Sequence, residues 1–160
     1  MNRRIWVVGL VVLGGIGWYL FRPELLFVNK RVNEGLVTAS ASTATPMAIL
    51  TGQFHSVAHE TRGTASVYEL GDGSRMLRLT DFATSNGPDV RVYLIAAPDA
   101  SDDATVTKSG YLELGKLKGN EGDQNYAIPA GTDLTKYHAA TIWCYRFNVN
   151  FATAPLTPAS

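Results

Sequence analysis

The chain has 160 residues with 14 basic and 14 acidic side chains, so its formal net charge is zero. That excludes a nucleic-acid binder working through bulk positive charge, and 46% apolar residues exclude an acidic disordered chain. A single cysteine, Cys144, excludes an intramolecular disulfide and a cysteine-rich zinc site.

In chain order, residues 1–4 form a short head carrying Arg3 and Arg4. Ile5 to Phe21 (IWVVGLVVLGGIGWYLF) contains no charge. As a helix it spans about 25 Å, the short end of the transmembrane range, with Trp6, Trp18 and Tyr19 near the ends where such rings favour the interface. Phe21 is followed by RPELLF, which offers no small-residue cleavage site, so an uncleaved anchor fits better than a cleaved signal peptide. Contact with membrane lipid through this helix is the expectation. The positive charges on either side are evenly matched. The four-residue head with two arginines favours a cytoplasmic N-terminus, which places a single-pass protein in the cell membrane with its main domain outside the cytoplasm. Residues 22–46 read as a stalk and linker, mixed at first, then small and uncharged from Thr38 to Pro46.

The domain is expected over residues 47–156, with 157–160 as a tail. It carries 9 basic and 12 acidic residues, a net of −3. No helical period persists there; short alternating runs between turn residues predict an all-β fold, an antiparallel β-sandwich or barrel. Strands are expected over 49–57, 64–70, 75–82 and 90–97, the second and third joined by a hairpin at Gly71-Asp72-Gly73-Ser74. Residues 98–109 read as an acidic loop, 111–117 as a weaker strand, 119–125 as a loop, 126–129 as short and extended, and 133–137 as a helical turn. Thr141 to Phe151 (TIWCYRFNVNF) reads as one strand. Its alternation puts Trp143, Tyr145, Phe147, Val149 and Phe151 on the core face. Cys144 and Arg146 then share the polar face, about 6.5–7 Å apart.

Cys144 is the leading chemical candidate. The bland reading is a small buried hydrophobe. The sharper reading is a reactive thiol, because a neighbouring arginine favours the thiolate and an unpaired extracytoplasmic cysteine is a liability unless used. Asp81 and Asp89 close and open successive strands; turn chemistry is their ordinary role, and support of the thiol at one rim is the functional one. His55, His59 and His138, and the acidic loops with Asp99, Asp102, Asp103, Glu121 and Asp123, show no metal-ligand spacing. Their ordinary reading is surface or turn residues, so no metal site is expected. There is no nucleophile elbow, phosphate loop or dinucleotide fingerprint.

Six motifs occur in a fixed order: Gly52-Gln53-Phe54-His55, Gly63-Thr64-Ala65, Leu77-Arg78-Leu79 with Asp81-Phe82, Asn86-Gly87-Pro88-Asp89-Val90, Leu114 to Pro129 with its Leu117-Lys118-Gly119-Asn120 and Asp123-Gln124-Asn125-Tyr126 cores, and Ile142-Trp143-Cys144 with Phe147. Together they resemble the DM-thirteen domain, over about 105 residues from Gly52 to Leu156. Ala152 stands where that pattern usually has Gly. The resemblance implies an all-β extracytoplasmic module of redox or electron-transfer function, with Cys144 as the redox residue. Arg146 would then tune the thiolate, with Asp81, Asp89 and Tyr126 as supporting rim residues and a redox protein of the cell envelope as partner. No cofactor is identified. A lone thiol would cycle through a mixed disulfide, a sulfenic acid or a bound group. The alternative is a non-catalytic envelope binding or adhesion module with an inert buried cysteine; a metal-dependent enzyme is a third reading.

Overall fold

The structure, a computed structural model, describes residues 3–21, 28–36 and 45–159. Helix α1 runs Arg3–Phe21. Ten strands follow: β1 Met47–Gln53, β2 His55–Ser56, β3 Arg62–Glu69, β4 Arg75–Ala83, β5 Val90–Ile95, β6 Tyr111–Lys116, β7 Gln124–Ile128, β8 Ala139–Cys144, β9 Val149–Pro155 and β10 Thr157–Pro158. A short helix, α2 (Asp103–Lys108), lies between β5 and β6, and a single 3-10 turn (Leu134–Lys136) precedes β8.

The strands form two five-stranded sheets, in the orders β10-β1-β3-β4-β7 and β2-β9-β8-β5-β6, and every pairing is antiparallel. This is a β-sandwich. Ala65, Val67, Leu77, Leu79 and Tyr126 from one sheet meet Val90, Val92, Leu94, Ile142, Cys144 and Ala154 from the other in one core. At one edge the chain changes sheets twice. It bends at the buried Phe54 between β1 and β2, and at Leu156 between β9 and β10, so the β1–β10 and β2–β9 pairs sew the two layers together. Residues 157–158, expected as a tail, thus pair with β1.

The β3–β4 hairpin forms where the Asp-Gly turn predicts it, Leu70 N–H donating to Ser74 O and Gly73 taking φ +80°. Within the helical turn expected over 133–137, Asp133 caps the Leu134–Lys136 turn by accepting from Thr135 N–H. The strand expected over 49–57 is broken at Phe54 into β1 and β2, which lie in different sheets, and two further elements differ from expectation. The 98–109 loop contains α2, whose first turn is capped by the Asp102 carboxylate accepting from Thr105 N–H at 2.7 Å. The 141–151 segment is a hairpin. β8 stops at Cys144, Tyr145–Asn148 turn with Asn148 at φ +52°, and β9 starts at Val149. Tyr145 and Phe147 are exposed.

The face assignment fails for the same reason. Ile142 and Cys144 point into the inter-sheet core, whereas Trp143 points outward with Tyr93 and Ile95, where Val106 of α2 and Ala100 cover them. Every residue of β8 is buried, so polarity along it does not report its faces. The cover is held by Asn150, which is fully buried. Its amide donates to Ala100 O and Thr153 Oγ1 (both 3.0 Å), its carbonyl accepts from Thr141 Oγ1 (2.7 Å), and its backbone N–H donates to Asp103 Oδ1 (2.6 Å).

Helix α1 forms at the expected place, and its apolar side chains, Leu10, Leu13 and Trp18 among them, are exposed. Among the described residues no helix is long and apolar enough to cross a membrane. Much of the expected stalk and linker, residues 22–27 and 37–44, lies outside the described residues.

Asn150→Ala leaves several buried partners unpaired. It should cost about 2–3 kcal/mol, roughly 10 °C in Tm by thermal unfolding. Asn148→Gly, in the left-handed turn position, should be neutral or slightly stabilising.

Candidate functional site

Cys144 is 1% exposed, at the C-terminal end of β8. Its cross-strand neighbours are Val90 and Val149. Arg146 lies beyond the strand end in the exposed turn, not on a shared polar face with the thiol. Its charge acts instead on Asp89. The cation expected beside the thiol therefore sits on the turn, where its charge is the smallest of several that lower the half-buried Asp89 carboxyl.

Asp89 and Arg91 flank Val90 and form a bidentate pair, Nε to Oδ1 at 3.1 Å and Nη2 to Oδ2 at 2.9 Å. The same guanidinium donates to both oxygens of Glu113 at 3.0 Å and stacks 4.0 Å from the Tyr145 ring centroid. Asp89 O also accepts from Tyr145 N–H at 2.8 Å. The hydrogen bonds from Arg91 hold the Asp89 carboxyl below its ordinary value of 3.8. Burial opposes this, and the charges of Arg91, Lys116 and Arg146 reinforce it. These contacts pin the turn that closes over the end of β8.

Tyr126 and Asp81 belong to a second assembly, built on the segment from Leu117 to Tyr126. Gln124 is fully buried there. Its carbonyl accepts from Tyr126 OH (2.8 Å) and Gly119 N–H (3.2 Å), and its amide donates to Gly119 O (2.7 Å). Tyr126 OH in turn accepts from Lys118 N–H at 3.0 Å. Burial pushes the Tyr126 phenol well above its ordinary range, so it stays protonated at neutral pH. Asp81 is exposed, with φ +49°, and its backbone N–H donates to Asp123 Oδ1 at 3.0 Å. The two assemblies touch through the backbone, Leu117 N–H donating to Val90 O at 2.8 Å.

Residues 28–36, part of the expected stalk, dock on this segment. Val32 N–H donates to Glu121 O and Glu34 N–H to Asp123 O, both at 2.9 Å, around a single parallel bridge between Arg31 and Glu121. The Glu34 carboxylate receives Lys118 Nζ at 2.8 and 2.9 Å and Asn125 N–H at 2.7 Å. Arg78, almost fully buried, donates to Glu34 O, Asn125 Oδ1 and Asp123 Oδ2 at 2.7–2.9 Å. A Cβ on Gly119 would run into Lys30 O, and one on Gly122, at φ +91°, into Val32 O, so both glycines are required for the approach.

Four grooves of about 270 to 640 Å³ border this strap, and each is lined in part by it; the 640 Å³ groove, against Leu70, Met76, Ala127 and Ile128, is mainly apolar. Cys144 lines none of them, but its partner Val90 lines one, together with Val28, Lys30, Gly87 and Leu117. The strap residues Lys30, Glu34 and Gly35 were not foreseen as site residues, since nothing in their spacing marks them. Lys118, Asn120, Gln124 and Asn125 were visible only as part of a motif, and Asp123 also as an acidic-loop residue. His55 pairs with Asp99 at 2.7 Å and the His59 ring packs on Phe151. Among the described residues, no group of three His, Cys, Asp or Glu side chains is placed to hold a metal ion.

Since Asp89 has a depressed folded-state pKa, its contribution to stability is complete above about pH 3.8 and lost as the pH falls through the folded value. Chemical unfolding should find Asp89→Asn less stable than wild type at neutral pH, the two converging in strong acid.

No curated protein and no solved structure gives a significant match to the chain. One family model does match, described as "Electron transfer DM13", over residues 53–156, from the end of β1 through Leu156. It takes in the buried Cys144, the Asp89–Arg91 pair and the whole Gln124-centred segment, while α1 and the docked strap lie outside it. With nearly two thirds of its length matched, the chain belongs to the DM13 electron-transfer family.

Proposed function

We propose that the chain is an electron-transfer module whose redox group is the Cys144 thiol, shielded at rest by the Tyr145–Asn148 turn. The observation that carries the reading is the family match over 53–156, in a chain whose one cysteine ends β8 where the turn begins. Burial keeps the thiol from casual oxidants. Opening the turn breaks the Tyr145 N–H bond to Asp89 O and the Arg91–Tyr145 stacking and exposes the end of β8. The opened thiolate then attacks one sulfur of a disulfide on an envelope redox partner. A mixed disulfide forms and the partner's other sulfur leaves as a thiolate. Arg146, carried on the turn, and Asp89, at its base, are positioning residues in this scheme. Asp81 and Tyr126 act at a distance through the Leu117–Val90 backbone link.

The second reading, a binding module with an inert cysteine, draws on two features: Cys144 is enclosed by apolar residues, and polar grooves flank the strap. Incubating the full chain with oxidised glutathione, with mass spectrometry at successive times, separates the two. The redox reading predicts a glutathione adduct at Cys144 under native conditions, forming at least tenfold faster in Arg91→Ala, which loosens the turn. No adduct in either protein until it unfolds supports the inert reading.

Membrane attachment through α1 is part of the same proposal. It is supported by the uncharged run Ile5–Phe21 and by the exposure of its apolar side chains. The run is about 25 Å long as a helix, short of a hydrocarbon core of about 30 Å, so anchoring calls for local thinning of the bilayer. Arg3 and Arg4 favour the head inside and the domain outside. Alkaline carbonate extraction of membranes should leave the chain in the pellet. Release into the supernatant, as for a peripheral protein, would remove the anchor.

A further inference from the structure

The strap at residues 28–36 is held almost wholly by polar contacts. Val28 and Leu36 are exposed and only Val32 is partly buried among its larger apolar side chains. Its register is set by one backbone bridge to Glu121 and by two charge contacts of opposite sense, Arg31 on Glu121 (2.8 Å) and Glu34 on Lys118 (2.8 Å). Grooves lined in part by strap residues border it. The family match begins only at residue 53, so the strap lies outside the matched stretch. The ten residues from 37 to 46 that join strap to β1 can reach about 35 Å when extended.

A polar, shallowly buried segment on a connection of that reach can leave its own domain and seat on an identical one. We propose that the groove along Lys118–Asn125 is an acceptor for the strap of a second copy of this chain, and that two copies exchange residues 28–36 reciprocally. Within one chain the strap is favoured by its high effective concentration; exchange replaces each contact by its equivalent, so dimers form when copies are concentrated. This inference does not rest on the redox reading.

Charge reversal tests it with the full chain in detergent. Glu34→Lys alone sets an ammonium against Lys118 and Arg78, and Lys118→Glu alone sets carboxylate against carboxylate, so each variant repels its own strap. Mixed one to one, both exchanged contacts are charge-matched. The expected result, by sedimentation and thermal unfolding, is a mixed dimer at least tenfold tighter than either variant with itself and than wild type with itself, melting above both variants alone. The Glu34→Lys/Lys118→Glu double variant should return to the wild-type state. A mixture that behaves as two independent species overturns the proposal. Should Lys118→Glu fail to fold, the exposed pair Arg31→Glu and Glu121→Arg poses the same question with the same two outcomes.

Discussion

The side-chain amide of Gln124 is the contact on which most of this molecule's surface chemistry depends. It is fully enclosed and fully bonded, holding Gly119 from both sides and Tyr126 through its hydroxyl. A buried amide costs several kcal/mol unless it is paired, so the segment from Leu117 to Tyr126 has few ways to close other than the one observed. That closure turns Lys118 toward Glu34, leaves Asn120 to bond Thr84 O, and sets Asp123 against Arg78. The strap's docking, the grooves beside it and the backbone link to Val90 all follow from it.

A second constraint acts on the other sheet. Asn150 ties the 100–103 segment and α2 across the outer face of β8 and β5. Both faces of these central strands are therefore covered. The thiol of Cys144 is a core atom on one side, while Trp143, its neighbour in sequence, is a core atom on the other. Arg91 serves the same end from the rim. It binds Asp89 and Glu113 and lies against Tyr145, so the turn that ends β8 is fixed at its base. In the proposed account this turn is the gate and Cys144 the guarded group.

Much of the fold was readable from residue order. The Asp-Gly hairpin between β3 and β4, the alternation of Val90, Val92 and Leu94, and the helical turn expected over 133–137 are local signals, and local physics decided them. The 141–151 segment misled because Tyr145 and Phe147 keep a strand's period through a turn, while burial on both faces erases polarity as a guide along β8. Helix α2 is only six residues long, too short for a helical period to show. The docked strap was invisible because its contacts join residues some ninety positions apart. Of the candidate residues, Cys144 and Arg146 looked adjacent only through the mistaken strand. Tyr126 is instead held by Gln124, Asp81 separately by Asp123 of the same segment, and Asp89 by its arginine.

The central claim is that Cys144 is enclosed at rest and released by local opening of the turn. The rate of thiol labelling in the folded chain, measured against denaturant concentration well below the unfolding midpoint, tests it most directly. Local opening exposes little surface, so the account predicts slow labelling with only a shallow denaturant dependence. Labelling as fast as in the unfolded chain would contradict the enclosure. Labelling that rises with the full slope of global unfolding would contradict the gate.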